Sequence, residues 1–292
     1  MKILIIGASG MLGNACMNYF GASNDFEVFG SIRAETKYSL DALKSDCVVI
    51  SGVDITNEVS QRDLFKKVAP NVVINCVGVV KQREESEDAS QSILINSLLP
   101  HQLARSCDEY GAKLIHISTD CVFSGAKGVP YKESDISDAN DLYGRSKFLG
   151  EISSNPNVLT LRTSIIGNEL DSNRGLLEWF LSQNGECQGY TEAVFSGVPT
   201  LILAQAIESA LKAQPGLSGL FQVASEPISK YNLLKLIAQV FGRQIKIIPN
   251  AELVINRSLD GSKFREATGF IIPSWGEMIE KMYIDRMTNV QK

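Results

Sequence analysis

Lys2-Ile3-Leu4-Ile5-Ile6-Gly7-Ala8-Ser9-Gly10-Met11-Leu12-Gly13 decides the fold. The apolar run from Ile3 to Ile6 has no polar alternation and reads as a strand covered on both faces. Glycines in the pattern G-x-x-G-x-x-G then lead into a helical pattern. Glycine suits a tight turn and lets backbone come close to a pyrophosphate, whose charge then lies at the N-terminus of the following helix. Glycine-rich turns also follow strands for purely steric reasons, but the strand–turn–helix setting favours the nucleotide reading.

Working outward, strand-like apolar runs recur at 27–32, 47–51, 72–76, 113–118 and 158–162, with amphipathic helical patterns between them. That alternation predicts an α/β, Rossmann-type doubly wound parallel sheet with right-handed crossovers. After Ser164 the rhythm loosens into a helix at 176–183, a segment at 194–200, a helix at 201–213, a strand at 220–224 and a helix at 230–241. The expected division is a dinucleotide-binding domain over 1–164 and a smaller substrate-binding lobe over 165–292, with some elements of the lobe returning to the sheet.

Bulk composition narrows the function. The chain has 292 residues, 44% of them hydrophobic, enough for a large core. A net charge of −5 without a long basic run argues against nucleic acid or an anionic membrane surface as the main partner. The six cysteines are scattered and only His101 and His116 accompany them, so reduced thiols and no metal site are expected. The opening apolar run is too short to span a bilayer and lacks signal-peptide flanks, which makes a cytoplasmic location the expectation.

Chemistry enters with Asp141-Leu142-Tyr143-Gly144-Arg145-Ser146-Lys147-Phe148-Leu149-Gly150-Glu151. Tyr143 and Lys147 stand one helical turn apart and project from one face. A fixed cation favours the phenolate and is expected to lower the tyrosine pKa, giving a general acid/base near neutrality. An ordinary helix surface is the alternative for an isolated pair. Thr119 follows the predicted strand 113–118 at its carboxyl end, where such sheets present residues to ligands.

Cofactor candidates surround this pair. Gly7, Ser9, Gly10, Met11, Leu12 and Gly13 form the candidate phosphate cradle. Arg33 stands where an acidic residue would hold the ribose of NAD, and suits the 2′-phosphate of NADPH; a solvated charge past a strand is the alternative. Asp54 and Ile55 follow the third strand and could flank the adenine, while Cys76, Val77 and Gly78 close the fourth strand beside the switch point. Lys81 and Gln82, just beyond, could reach the substrate or the cofactor, or belong to a solvated loop.

With these residues in place, the sequence resembles the extended short-chain dehydrogenase/reductase family over essentially its whole length. Within it, the dTDP-4-dehydrorhamnose reductases and related nucleotide-sugar 4-ketoreductases are the nearest in look. The motifs are Gly7 to Gly13, Ser118-Thr119-Asp120-Cys121-Val122-Phe123-Ser124-Gly125, Tyr143 to Glu151, Leu161-Arg162-Thr163-Ser164 and Arg257-Ser258-Leu259-Asp260. The resemblance implies that Thr119 bonds the substrate carbonyl, Tyr143 supplies the proton, Lys147 holds the nicotinamide ribose and Asn96 serves a proton relay behind it. It further implies sugar contacts from Lys81, Asp120, Cys121, Val122, Phe123, Ser164 and Arg257, with Arg257 and Lys263 as candidates for the diphosphate.

The implied activity is NADPH-dependent reduction, with NADH as the alternative, of a nucleotide-linked 4-keto-6-deoxyhexose in deoxysugar synthesis for surface polysaccharide; a homodimer is the candidate assembly. One departure is Cys121, where the reductases usually carry tyrosine. A wider and less polar pocket, open to an amino or otherwise substituted sugar, is expected there. Two other readings stand beside this one: a non-catalytic dinucleotide-binding regulatory subunit similar to the methionine adenosyltransferase β subunit, and a nucleotide-sugar epimerase or dehydratase that retains its cofactor.

Overall fold

Strand β1 (Lys2–Ile6) buries Ile3, Leu4, Ile5 and Ile6 because sheet neighbours and helices cover it on every side. The computed structural model describes residues 1–34, 47–79, 88–169, 175–213 and 216–289. After β1 come α1 (Met11–Gly21), β2 (Glu27–Ser31), β3 (Val48–Ile50), α2 (Glu58–Val68) and β4 (Val72–Asn75). A short helix α3 (Ala89–Ser92) runs through a π-helical stretch (Ile93–Leu98) into α4 (Leu99–Tyr110), followed by β5 (Lys113–Thr119), α5 (Leu142–Leu149) and β6 (Val158–Thr163).

The remainder comprises β7 (Ile165–Ile166), α6 (Leu176–Leu181), β8 (Glu186–Tyr190), β9 (Ala193–Phe195), β10 (Val198–Pro199) and α7 (Thr200–Lys212). Then follow β11 (Gly219–Gln222), β12 (Ile228–Ser229), α8 (Lys230–Val240), β13 (Lys246–Asn250), β14 (Ile255–Asn256), α9 (Ser262–Thr268) and α10 (Trp275–Asn289). Among the described residues no helix is long and apolar enough to cross a membrane.

Seven strands form one parallel sheet in the order β11-β6-β5-β4-β1-β2-β3. This is a Rossmann-type doubly wound sheet. Strand order reverses between β1 and β4, so the loops that leave their carboxyl ends part and open a crevice. Alternate residues of β1 feed opposite cores: Ile3 and Ile5 pack with α1 and α7, and Leu4 and Ile6 with α2 and α4. Residues beyond Ser164 also build the sheet, since β11 pairs with β6 at its edge.

Sequence and structure part at element ends. The predicted strand 113–118 extends one residue further, so Thr119 is the last residue of β5 rather than the first after it. The segment 194–200 divides into β9 and β10, and α7 already begins at Thr200. Together β12, β9 and β14 make a small three-stranded sheet whose two- and three-residue strands carry too little periodicity to read in advance.

Candidate active site

The loop after β1 is shaped by its glycines. Gly7 takes φ +82°, and a methyl group on Gly13 would stand 2.1 Å from the Gly7 carbonyl oxygen, so the start of α1 can lie against the strand only without a side chain there. The amides of Gly7 and Ala8 donate to the Ser31 carbonyl at 3.2 and 3.1 Å, tying the loop to the end of β2. No side chain caps α1 at Gly10, which leaves the first amides of the helix facing the crevice for an anion. Gly10 is exposed, Ser9 and Met11 are half-buried, and Leu12 is buried in the core.

Arg33 is exposed two residues beyond Ser31, at the same end of the sheet. Asp54 accepts from the Thr56 amide at 3.0 Å and hydroxyl at 2.7 Å, while Ile55 is buried. Cys76, Val77 and Gly78 are half-buried opposite the glycine loop; a methyl group on Gly7 would come within 2.8 Å of Val77 Cγ2. The Cys16 thiol beside it, followed by burial, holds the Cys76 thiol well above its ordinary pKa. Lys81 and Gln82 lie outside the described residues.

Helix α5 carries the reaction pair. Asp141 caps it by accepting from the Gly144 amide at 2.8 Å. Gly144 lets it approach the β5 end: a methyl group there would sit 2.2 Å from the Cys121 carbonyl oxygen. Lys147 is buried, and its Nζ donates to the Ile117 carbonyl at 2.7 Å. Asn96, on the π-helical stretch, donates to Ser146 Oγ at 3.1 Å and to the Val79 carbonyl at 3.1 Å, and its Oδ1 accepts from the Val79 amide at 2.9 Å. It therefore braces the loop after β4 against α5. Ser146 Oγ in turn donates to the Tyr143 carbonyl at 3.0 Å.

The expected lowering of the Tyr143 pKa is overturned. Burial pushes the phenol up, with the Cys121 thiol adding to it, and hydrogen bonding with Thr119 is what pulls it back. Burial brings Lys147 down to about 8 against the opposing charge of Glu151. The phenol is thus held as a proton donor across neutral pH, as a reduction requires. Thr119 Oγ1 accepts from the Cys121 amide at 3.1 Å and donates to Asp120 Oδ1 at 3.2 Å.

On the facing side, Arg257 Nε donates to the Phe123 carbonyl at 2.7 Å and Nη1 reaches Cys121 Sγ at 3.5 Å. Burial pushes the Asp120 carboxyl up, while Arg257 draws it down. Burial and Asp120 push the Cys121 thiol up to about 12, which favours the protonated thiol over a thiolate. Where less polar surroundings were expected at Cys121, a guanidinium stands against that thiol. Val122 and Phe123, expected against the sugar, have no exposed surface; they pack with Tyr131 and Leu259, and Phe123 stacks on Tyr131 at 4.1 Å.

Ser164 is half-buried at the end of β6, and its carbonyl accepts from the Val198 amide at 2.8 Å. Lys263 is turned elsewhere: its Nζ donates to the Leu220 carbonyl at 2.7 Å and stands 4.2 Å from the Phe221 ring centroid. Behind the site, Ser118 and Arg162 both bind Glu151, the arginine through two bonds of 2.7 and 2.6 Å. Sequence reasoning missed Lys230, which opens α8 and shares the electrostatic surroundings of Asp120, Cys121 and Arg257. A cation in the first turn of a helix, against the dipole, was the available signal.

The family described as RmlD substrate binding domain matches residues 1–288. A dTDP-4-dehydrorhamnose reductase of Aggregatibacter actinomycetemcomitans is 25% identical over 305 residues, covering 96% of this chain and 98% of that protein. The solved dTDP-4-dehydrorhamnose reductase of Bacillus anthracis, in complex with NADP, is similar with a TM-score of 0.78 at 20% identity, covering 97% of this chain and 99% of the other. UDP-glucose 4-epimerase of Thermotoga maritima, with UDP-glucose, has a TM-score of 0.83 at 18% identity and full coverage of both chains, 100% and 100%. The two solved structures, at identities this low, speak for a shared fold alone. The family match, spanning nearly the whole sequence, carries the further conclusion: the chain belongs to the RmlD substrate binding domain family.

Proposed function

We propose that the chain is an NADPH-dependent reductase of the 4-keto group of a nucleotide-linked 4-keto-6-deoxyhexose, acting in deoxysugar synthesis for surface polysaccharide. The observation that carries this reading is the convergence of Thr119, at the end of β5, with Tyr143 on α5, their hydrogen bonding and the buried Lys147 one turn further on. Full-length likeness to a named dTDP-4-dehydrorhamnose reductase supports the substrate class.

The cradle around Gly7, Ser9, Gly10, Met11, Leu12 and Gly13 fits a dinucleotide, since Gly13 lets the start of α1 lie against the loop and the uncapped first amides of α1 are available to an anion. Arg33 would hold the 2′-phosphate, Asp54 and Ile55 would flank the adenine, and Lys147, Asn96 and the Cys76–Gly78 backbone would frame the nicotinamide ribose. When bound, the nicotinamide supplies hydride to the sugar carbonyl carbon.

The side chains do the rest. Thr119 orients the carbonyl oxygen, and Tyr143 gives it the phenolic proton as negative charge develops there. The Lys147 ammonium then faces the phenolate left behind and lowers its cost until a proton returns. Residues 1–164 serve the dinucleotide in this reading, and residues 165–292 the sugar. A purely regulatory subunit would have no need of a protonated phenol beside Thr119.

The test is NADPH oxidation with dTDP-, UDP- and GDP-linked 4-keto-6-deoxyhexoses, by the parent and by Tyr143→Phe. One sugar of the panel should be reduced by the parent, and the variant should lose about two or more decades in kcat with dinucleotide affinity nearly unchanged. Undiminished turnover in the variant would move proton delivery to another group.

A further inference from the structure

Two cations reach the reaction centre from the small sheet. Ile228 pairs with Phe195 and Ile255 with Ala193, so Lys230, directly after β12, and Arg257, directly after β14, flank β9 on its two sides. Arg257 is anchored on the Phe123 carbonyl and touches Cys121, whose amide donates to Thr119. Lys230 is half-buried with Nζ 5.6 Å from the Phe195 ring centroid, and it has no hydrogen-bond or ion-pair partner among the described residues. Burial lowers its affinity for a proton while Asp120 and Cys121 restore part of it. An ammonium in the first turn of α8 also opposes the helix dipole. A cation with the Phe195 ring and the field of Asp120 and Cys121 around it, but no hydrogen-bond partner among the described residues, keeps its donors available to a ligand.

We propose that Lys230, acting beside Arg257, selects the sugar: it favours an acylamino group on the carbon next to the reacting carbonyl and disfavours a free amine there. The proposal rests on the reductase reading of this site. Ammonium and guanidinium groups only donate hydrogen bonds, so the matching substituent must present an acceptor. An acyl oxygen reaches beyond the ring and accepts hydrogen bonds, which a ring carbon or a sugar ammonium cannot do. A sugar ammonium would instead meet two like charges, with Asp120 to offset one of them. The chain of contacts Arg257–Cys121–Thr119 ties the guanidinium to the hydroxyl that orients the carbonyl in the reductase reading.

Dinucleotide-loaded parent, Lys230→Met and Lys230→Arg should be titrated with dTDP alone, with a dTDP-linked acetamido-6-deoxyhexose and with its free-amine counterpart. The parent and the arginine variant should prefer the acetamido sugar by about ten-fold or more, the size of one charge-assisted hydrogen bond. Lys230→Met should lose that preference and keep its affinity for dTDP. An absent preference in the parent, or one that survives in Lys230→Met, overturns the proposal. So does an equal loss for dTDP alone, which would make Lys230 a diphosphate ligand. Unchanged dinucleotide affinity identifies correctly folded variants, and Lys230→Gln serves under the same criteria if the methionine variant does not fold. Binding with the predicted preference but no reduction would sink the reductase reading and leave this one standing.

Discussion

Lys147 is a buried cation whose charge is sensitive to pH. Its pKa, brought down to about 8 by burial, makes it a cation below that value and neutral above it. Dinucleotide affinity and kcat/KM should therefore be level on the acid side and fall as pH rises through about 8, since kcat/KM reports the free enzyme. Lys147→Met should be slow and weakly binding throughout and should lack that alkaline limb. A limb that persists in the variant would assign the titration to another group. Arg33 gives the second prediction at this scale. Arg33→Ala should weaken NADPH by about ten-fold, the loss of one charge-assisted contact, and leave NADH nearly untouched. Equal damage to both cofactors, read by titration, would make Arg33 a bystander.

At the scale of elements, the site is held by helix α5 and the strand ends that it meets. Glu151, just past α5, pairs with Arg162 on β6, and both side chains are nearly inaccessible, 6% and 3% exposed. Glu151→Ala leaves a buried guanidinium unpaired and should cost about 3–5 kcal/mol, read as a lower denaturant midpoint. A change within experimental error would mean that Arg162 finds another partner. The strands and helices of the main sheet were legible because their apolar runs are long and unbroken. Tyr143 and Lys147 were legible because helical spacing is local. Lys147's bond to Ile117 and the burial that raises the Tyr143 pKa were not, because each depends on what α5 packs against. Val122 and Phe123, which the resemblance put beside the sugar, are buried because the chain turns at Asp120, and that too depends on packing. Lys230 comes from a sheet of very short strands, whose partners are set by distant chain segments.

For the molecule as a whole, the parallel sheet and its crevice are common to reductases and epimerases, as the likeness to both structural neighbours makes plain. Function then rests on what the site does with a hydride. An epimerase returns the hydride to the sugar from a cofactor it retains, whereas a reductase consumes one NADPH for each alcohol formed. The direct measurement is a reaction with NADPH deuterated at the transferred position and a nucleotide-linked 4-keto-6-deoxyhexose, with the product sugar read by NMR. The account predicts deuterium on the sugar carbon that bore the keto group, one for each NADP+ released, and none with Tyr143→Phe at matched times. Deuterium remaining in the dinucleotide, or a sugar altered without net consumption of NADPH, would contradict it.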